Sequence, residues 1–379
     1  MDIKEESLLV HERLKGKLEI KSKIELKDKK SFSLAYTPGV AEPCKRIAEN
    51  PENAFKYTLK ENTVAVISNG TSVLGLGDIG ALAGIPVMEG KCAIFKELGG
   101  VNAFPICIDS KNVEENVNII RRISPVFGGI NLEDYKAPEC FEIESRLQDL
   151  GIPVFHDDQH GTAIVVLAGL INSIKLSGKS FDSVKIVVSG AGSAGIAITK
   201  LLLRYGAKNI ILLDSKGAVY SGRDDLNDIK KEMLKFTNLN NEKGSLKDVI
   251  KGKDIFIGVS RPNVLTKEMI LSMNKKAIIF ALANPDPEIL PNFAHEAGAF
   301  IVATGRSDFP NQVNNALVFP GIFKGALKCR AKKITEKMKI AAAEALAGMI
   351  SPNVEKILPE IFDKKVPEAV SQAVIKANN

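Results

Sequence analysis

The sequence predicts an α/β protein in two parts: an N-terminal α/β domain over residues 1–160, and a doubly wound, parallel-sheet domain over 161–379 that ends in a helical tail. Short apolar, β-branched runs alternate with Gly-rich or helical stretches from Thr63 onward, the mark of a parallel sheet with helices on its faces. After His156 the alternation lengthens into a strand–helix–strand succession of the doubly wound kind. The length of 379 residues accommodates two cores at about 150 residues per domain.

Residues 1–30 place Leu8, Leu9, His11, Leu14 and Leu18 among charged positions at helical spacing, which predicts an amphipathic arm whose role is packing. The runs 64–67, 103–108 and 152–155 read as strands, and 112–123 as a helix. A long apolar helix is expected over 162–174, then a regular strand at 185–189, a helix over 195–205 and a strand at 210–214. A charged helical stretch to Phe236 and strands at 254–259 and 277–281 continue the succession. The Ala- and Lys-rich tail from Thr335, broken by Pro352, Pro359 and Pro367, reads as two or three short helices.

Composition excludes several classes of function. With 45% hydrophobic and 25% charged residues the chain has the globular average, not the profile of a disordered or fibrous one. Its 51 basic residues are offset by 45 acidic ones, and the densest basic run, 15–30, is broken by Glu19, Glu25 and Asp28 with no interleaved aromatics. A nucleic-acid partner is therefore not expected, whereas the net charge of +6 suits a small anionic substrate. The five cysteines (Cys44, Cys92, Cys107, Cys140, Cys329) form no CxxC pair, which points to free thiols in a reducing cytoplasm. The longest apolar run, 163–171, is short of a membrane span, and no export signal opens the chain, so no membrane partner is expected.

GxGxxG occurs twice, at 75–80 and at 190–195. The second has the context that gives the motif its mechanics: a β-branched strand runs into it and a breaker-free helix leaves it. Gly190, Gly192, Ser193, Ala194 and Gly195 would then bring backbone amides at a helix N-terminus to a pyrophosphate, the Rossmann arrangement. Asp214 ends the next strand, where an acidic residue binds the ribose hydroxyls; it favours NAD by repelling a 2′-phosphate, although Ser215 and Lys216 could accept one, so the cofactor is NAD or NADP. The first motif lacks this context, because Pro86 should prevent a long helix and Asp78 would sit beside the phosphates. It reads as a tight active-site or packing turn.

Two acidic pairs, Glu133-Asp134 and Asp157-Asp158, lie at the ends of apolar runs, and carboxylates there point into the crevice where α/β proteins bind ligands. Three hard oxygen donors without Cys or His suit Mg²⁺ or Mn²⁺, while Asp157, taken in isolation, reads rather as a helix cap. His156 and His160 belong to no HExxH, and Gly161 suggests a loop there. Lys91, after Gly84 and Pro86, and Tyr36, in Ala35-Tyr36-Thr37-Pro38-Gly39, also read as loop residues.

Together these segments resemble malic enzyme in its short bacterial and archaeal form. The likeness is carried by SLAYTPGV at 33–40, VLGLGDIG at 73–80, PVMEGK at 86–91, NLED at 131–134 and VFHDDQHGTA at 154–163, and further on by FALANP at 280–285 and NNALVFPG at 314–321. The resemblance implies Glu133, Asp134 and Asp158 as ligands of the divalent metal, Lys91 as general base and Tyr36 as general acid. It implies that Asn284 and one or both of Asn314 and Asn315 contact the substrate or the nicotinamide side of the cofactor. It further implies L-malate and pyruvate as substrate and product, NAD(P)⁺ as oxidant, and a homodimer, with the N-terminal arm as a candidate crossing element. Where larger relatives carry an arginine before the Leu-Gly-Leu-Gly-Asp segment, this chain has Gly70-Thr71-Ser72, and Thr71 and Ser72 are candidates to bind the substrate carboxylate.

This chemistry requires a lysine whose pKa is lowered by burial or a neighbouring cation, and a tyrosine coupled to it, so Lys91 and Tyr36 should lie close together. The two domains should close on substrate, with a hinge near Gly161 or in the return after Ala303. Two other readings remain: a malolactic conversion to lactate with NAD kept bound, and a nucleotide-sensing protein without chemistry.

Overall fold

The structure, a computed structural model, describes residues 2–73 and 75–378. The first sheet has four parallel strands, β1 (Thr63–Ser68), β2 (Asn102–Cys107), β3 (Gly129–Leu132) and β4 (Val154–His156), in the order β2-β1-β3-β4. The second has six, β5 (Lys185–Ser189), β6 (Asn209–Asp214), β7 (Gly217–Ala218), β8 (Ile255–Gly258), β9 (Ile278–Ala281) and β10 (Ile301–Thr304). Their order is β10-β9-β8-β5-β6-β7, and only the short β7 runs antiparallel. In each sheet the strand order reverses once, between β1 and β3 and between β5 and β8. Such reversal points open a crevice at the carboxyl ends of the strands, and both candidate sites lie at one.

The principal helices are α1 (Ile3–Leu14), α2 (Lys29–Ala35), α3 (Gly80–Gly99), α4 (Val113–Ile123), α5 (Glu139–Arg146), α6 (Asp157–Ser177), α7 (Ser193–Tyr205), α8 (Phe319–Lys328), α9 (Glu336–Ala347) and α10 (Val366–Ala377). The two tail helices, α9 and α10, agree with the Ala-rich pattern that predicts them. β1 is buried along its whole length, as a strand covered by helices on both faces must be. α6 is the central element, and one apolar cluster extends from Val64 and Phe95 of the first half through Ile164 and Leu167 to Ile186 and Phe280 of the second. By length and composition α6 could cross a membrane, but 72% of its most apolar stretch is buried inside the protein, so its hydrophobicity is that of a core helix. A polar chain also joins the halves. The Lys339 ammonium of α9 donates to His160 Nδ1 at 2.9 Å, and His160 Nε2 lies 3.0 Å from Glu144 of α5. Because an ammonium only donates, Nδ1 must accept, which fixes the Nε2–H tautomer toward Glu144.

Four expectations are corrected. Pro86 does not stop a helix: α3 runs for 20 residues through it. Proline removes one backbone bond and frees the carbonyl four residues earlier, which here belongs to the solvent-exposed Leu82, while Met88, Lys91, Cys92 and Phe95 are buried on the opposite face. Lys91 is thus a helix residue, not a loop residue. The helix after β4 starts at Asp157 rather than near Thr162, so His160 and Gly161 are helical, and Asp157 and Asp158 occupy its first turn, where the helix dipole favours negative charge. Before Phe236 only Asp228–Met233 is helical; the preceding charged residues form turns. Finally, α1 buries none of its residues, and Leu8 and Leu9 face solvent; the arm meets its own chain at Lys17, whose N–H donates to Glu89 Oε2 at 3.1 Å and whose ammonium donates to the Pro86 carbonyl at 2.7 Å.

Candidate active site

The carboxyl ends of β3 and β4 bring the acidic pairs together. Glu133 and Asp134 follow β3, Asp158 opens α6, and ligand atoms of these three lie within 4.8 Å of one another. Asp134 adopts a left-handed backbone (φ 55°), which aspartate tolerates better than most residues, and its N–H donates to Asp158 Oδ2 at 2.8 Å. Burial and then the Asp158 charge push the Asp134 carboxyl up to about 8. Burial also raises Glu133 well above the usual carboxylate range, opposed by Lys91 and reinforced by Asp158, Asp157 and Asp134. Asp134 Oδ2 is buried without a hydrogen-bond partner. An oxygen-only cluster that repels itself and leaves an acceptor orphaned fits a hard divalent cation, which would reverse each of these penalties.

Lys91 approaches this cluster from the buried face of α3 and is only 8% exposed. Its Nζ donates to Glu133 Oε1 at 2.9 Å and to Asp157 Oδ2, and lies 3.9 Å from the centre of the Phe319 ring. Burial alone would lower the pKa of this ammonium, but Asp157 and then Glu133 outweigh it and hold Lys91 above its ordinary value. The expected lowered lysine is therefore not the state seen here, because two carboxylates share its proton. Asp157 is not a helix cap but the second partner of Lys91, itself held by Asn315 Nδ2 at 2.8 Å. Asn131, two positions before Glu133 on β3, donates to Glu133 Oε2 at 2.9 Å. These pairings join positions far apart in the chain, and no local motif announces them.

The other candidates divide. Asn315 reaches the cluster, whereas the Asn314 side chain accepts from the Ala316 N–H at 2.9 Å and caps a turn. Thr71 spends its hydroxyl on Asn69 Oδ1 at 2.7 Å, and Ser72 N–H donates to the Asp134 carbonyl at 2.9 Å, so this loop braces the acidic turn. Tyr36 ends α2, is 63% exposed and touches the edge of Phe32 at 6.0 Å between ring centres. The structure does not bring it to Lys91. Asn284 follows β9, and its carbonyl oxygen would lie 2.3 Å from a Cβ at Gly75. The first glycine motif is thus a packing turn seated against the loop that follows β9.

The second motif has the expected anatomy. A Cβ at Gly190 would meet the Val259 carbonyl at 2.5 Å and one at Gly195 the Gly190 carbonyl at 1.7 Å, but one at Gly192 would meet nothing within 4 Å. Gly190 and Gly195 therefore allow close packing, and Gly192 leaves its side open before Ser193 and Ala194 start α7. Asp214 ends β6 but is not a free charge. Arg223 grips it through both nitrogens at 2.9 and 3.0 Å and Lys230 donates at 2.6 Å, holding the carboxyl below its usual range despite burial. Arg223 and Lys216 also pair with Asp225 at 2.7 and 2.9 Å. Asp214 is therefore ion-paired and does not present a bare negative charge to a 2′-phosphate.

The family model described as the malic enzyme NAD binding domain matches residues 159–378, and that of the malic enzyme N-terminal domain matches 15–117. A bifunctional malic/malolactic enzyme of Bacillus subtilis (strain 168) is 57% identical over 100% of this chain and 93% of its own. An NAD-dependent malic enzyme of Geobacillus stearothermophilus is 52% identical over 100% of this chain and 79% of its own. The crystal structure of NAD-dependent malic enzyme from Thermotoga maritima shares the fold at a TM-score of 0.96 and 49% identity, with 99% of each chain covered. In both halves of its sequence and in its fold, the chain belongs to the malic enzyme family of NAD(P)-dependent, decarboxylating malate dehydrogenases.

Proposed function

We propose that the protein converts L-malate to pyruvate and CO₂ with reduction of NAD(P)⁺, in a reaction that depends on a divalent cation held by Glu133, Asp134 and Asp158. The observation that carries this reading is the contact of the Lys91 ammonium with Glu133 of that cluster. When bound, the nicotinamide accepts the hydride from C2, and Mg²⁺ or Mn²⁺ polarises the substrate hydroxyl and the ketone that follows. The Glu133 charge that helps to hold the Lys91 proton would be offset by a cation at the cluster, and as a free amine Lys91 would take the proton of the 2-hydroxyl. Asn315 keeps Asp157 in place, and Asn284 orients the substrate or the nicotinamide. Tyr36 protonates the methylene carbon after CO₂ departs. Residues up to 160 form the catalytic unit and those from 161 the dinucleotide unit, which closes on the substrate with α6 shared between them.

The test is to incubate the purified protein with L-malate and Mn²⁺, with NAD and NADP in parallel, and follow reduced cofactor and pyruvate. Equal amounts of both, abolished by EDTA, are expected, with turnover on either cofactor because Asp214 is paired with Arg223 and Lys230. Reduced cofactor without pyruvate would overturn the reading. Lactate without net reduced cofactor is the outcome of the malolactic reading, supported by the name of the Bacillus subtilis relative. Bound cofactor with no turnover would indicate a sensor.

Tyr36 serves this chemistry as a residue of a second copy. Its exposure, and that of Ile3, Leu8, Ile20, Leu26 and Leu34 along the same arm, supports a homodimer in which the arms cross. Mixing the separately inactive Tyr36→Phe and Lys91→Met proteins, with subunit exchange, should restore about a quarter of wild-type activity, since half the dimers then carry one intact site. Activity that stays at the level of the separate variants would place both residues in one chain's site. The five cysteines are unpaired, which supports a reducing cytoplasm as the protein's location.

A further inference from the structure

We infer that Glu288 is a positioning residue for the nicotinamide end of the cofactor, acting through the loops that follow β8 and β9. The inference rests on the reading that Asn284 meets the nicotinamide or the substrate beside it.

Glu288 is fully buried. Its Oε1 accepts the Ser260 N–H at 2.9 Å and lies 3.4 Å from the Ser260 hydroxyl, while Oε2 accepts the Ala283 N–H at 3.0 Å. Ser260 lies just beyond β8, and its hydroxyl is 3.3 Å from that of Ser189, the last residue before the Gly190 turn. Ala283 immediately precedes Asn284. One carboxylate thus ties together the ends of β5, β8 and β9 at the edge of the cofactor crevice.

No cation pairs with this carboxylate among the described residues, and burial raises its pKa against the pull of the Ala283, Ser260 and Glu288 N–H groups and the Ser260 hydroxyl. An unpaired buried acid is costly compared with an apolar side chain of similar size, so stability does not account for it. The backbone makes room for it as well: a Cβ at Gly258 would lie 2.3 Å from Glu288 Cδ. A carboxylate suits the place because both of its oxygens face donors. In Glu288→Gln one end becomes an NH₂ group facing an N–H, and one of the two loops is released.

The experiment is calorimetric titration of the full-length protein with NAD⁺ and with ADP-ribose, which shares everything but the nicotinamide. In E288Q the affinity for NAD⁺ should fall about tenfold, the scale of one lost hydrogen bond to a charged group, while that for ADP-ribose stays within about twofold. A structural role alone would weaken both equally or neither, and that result overturns the inference. If E288Q does not fold, Glu288→Asp decides by the same criterion, since a carboxylate one methylene shorter cannot reach both loops. Asn284→Ala serves as the control. A fall in NAD⁺ affinity relative to ADP-ribose in N284A but not in E288Q overturns the inference and leaves its premise standing; if neither variant shifts that ratio, both fall.

Discussion

Lys91→Met is expected to lower kcat about a thousandfold, within the range of a positioned general base, while the variant still folds and binds cofactor. Methionine replaces the lysine stem up to Cε beside Phe319, but it leaves Asp157 and Glu133 buried without their shared cation. Breaking one side of such a group destabilises it, so the melting temperature should also drop, and Mn²⁺ should recover part of the loss by taking up the charge on Glu133. Lys91→Arg separates the two effects. A guanidinium can replace the charge but cannot give up its proton in the working pH range. Lys91→Arg should therefore melt closer to the wild type and remain as inactive as Lys91→Met; kcat within about tenfold of wild type for either variant would remove Lys91 from the role of base.

What could be read from the sequence depended on how far apart the cooperating residues lie. Glu133-Asp134 and the Gly190 turn were legible because strand, turn and functional group are contiguous there, and the end of a parallel strand has only one crevice to face. Lys91 was legible as a candidate but not in its setting. Gly84 and Pro86 suggested a loop, and only the burial of Met88, Cys92 and Phe95 explains why the helix continues through the proline. Asp157 looked like a cap because capping is local, whereas its partners, Lys91 and Asn315, are 66 and 158 positions away. Asp214 was correctly placed at the end of β6 but wrongly left as a free charge, since Arg223 reaches it from a turn and Lys230 from the short helix Asp228–Met233, 9 and 16 positions further along the chain. The exposed α1 was misjudged for a related reason. Amphipathic spacing predicts a buried face, but not whether the surface that buries it belongs to the same chain.

Mn²⁺ is expected to raise the melting temperature by several degrees more at pH 8 than at pH 6, and EDTA should reverse the gain at both. The sign follows from Asp134, whose carboxyl moves from its ordinary 3.8 to about 8 on folding without metal. A group that binds its proton more tightly when folded contributes stability that is complete below about pH 4 and is lost as the pH rises through 8. The metal-free protein should therefore weaken across that range. Binding a cation to Glu133, Asp134 and Asp158 requires the deprotonated form, so each proton displaced costs metal affinity at pH 6 and less at pH 8. The two trends are one linkage: the stability that the metal-free state loses as Asp134 gives up its proton is what the cation no longer has to displace. Asp134→Asn should abolish turnover, because it removes a ligand, and should flatten both trends by removing the proton. A wild-type protein whose Mn²⁺ shift is the same at pH 6 and pH 8, or is matched by Asp134→Asn, would place the cation elsewhere.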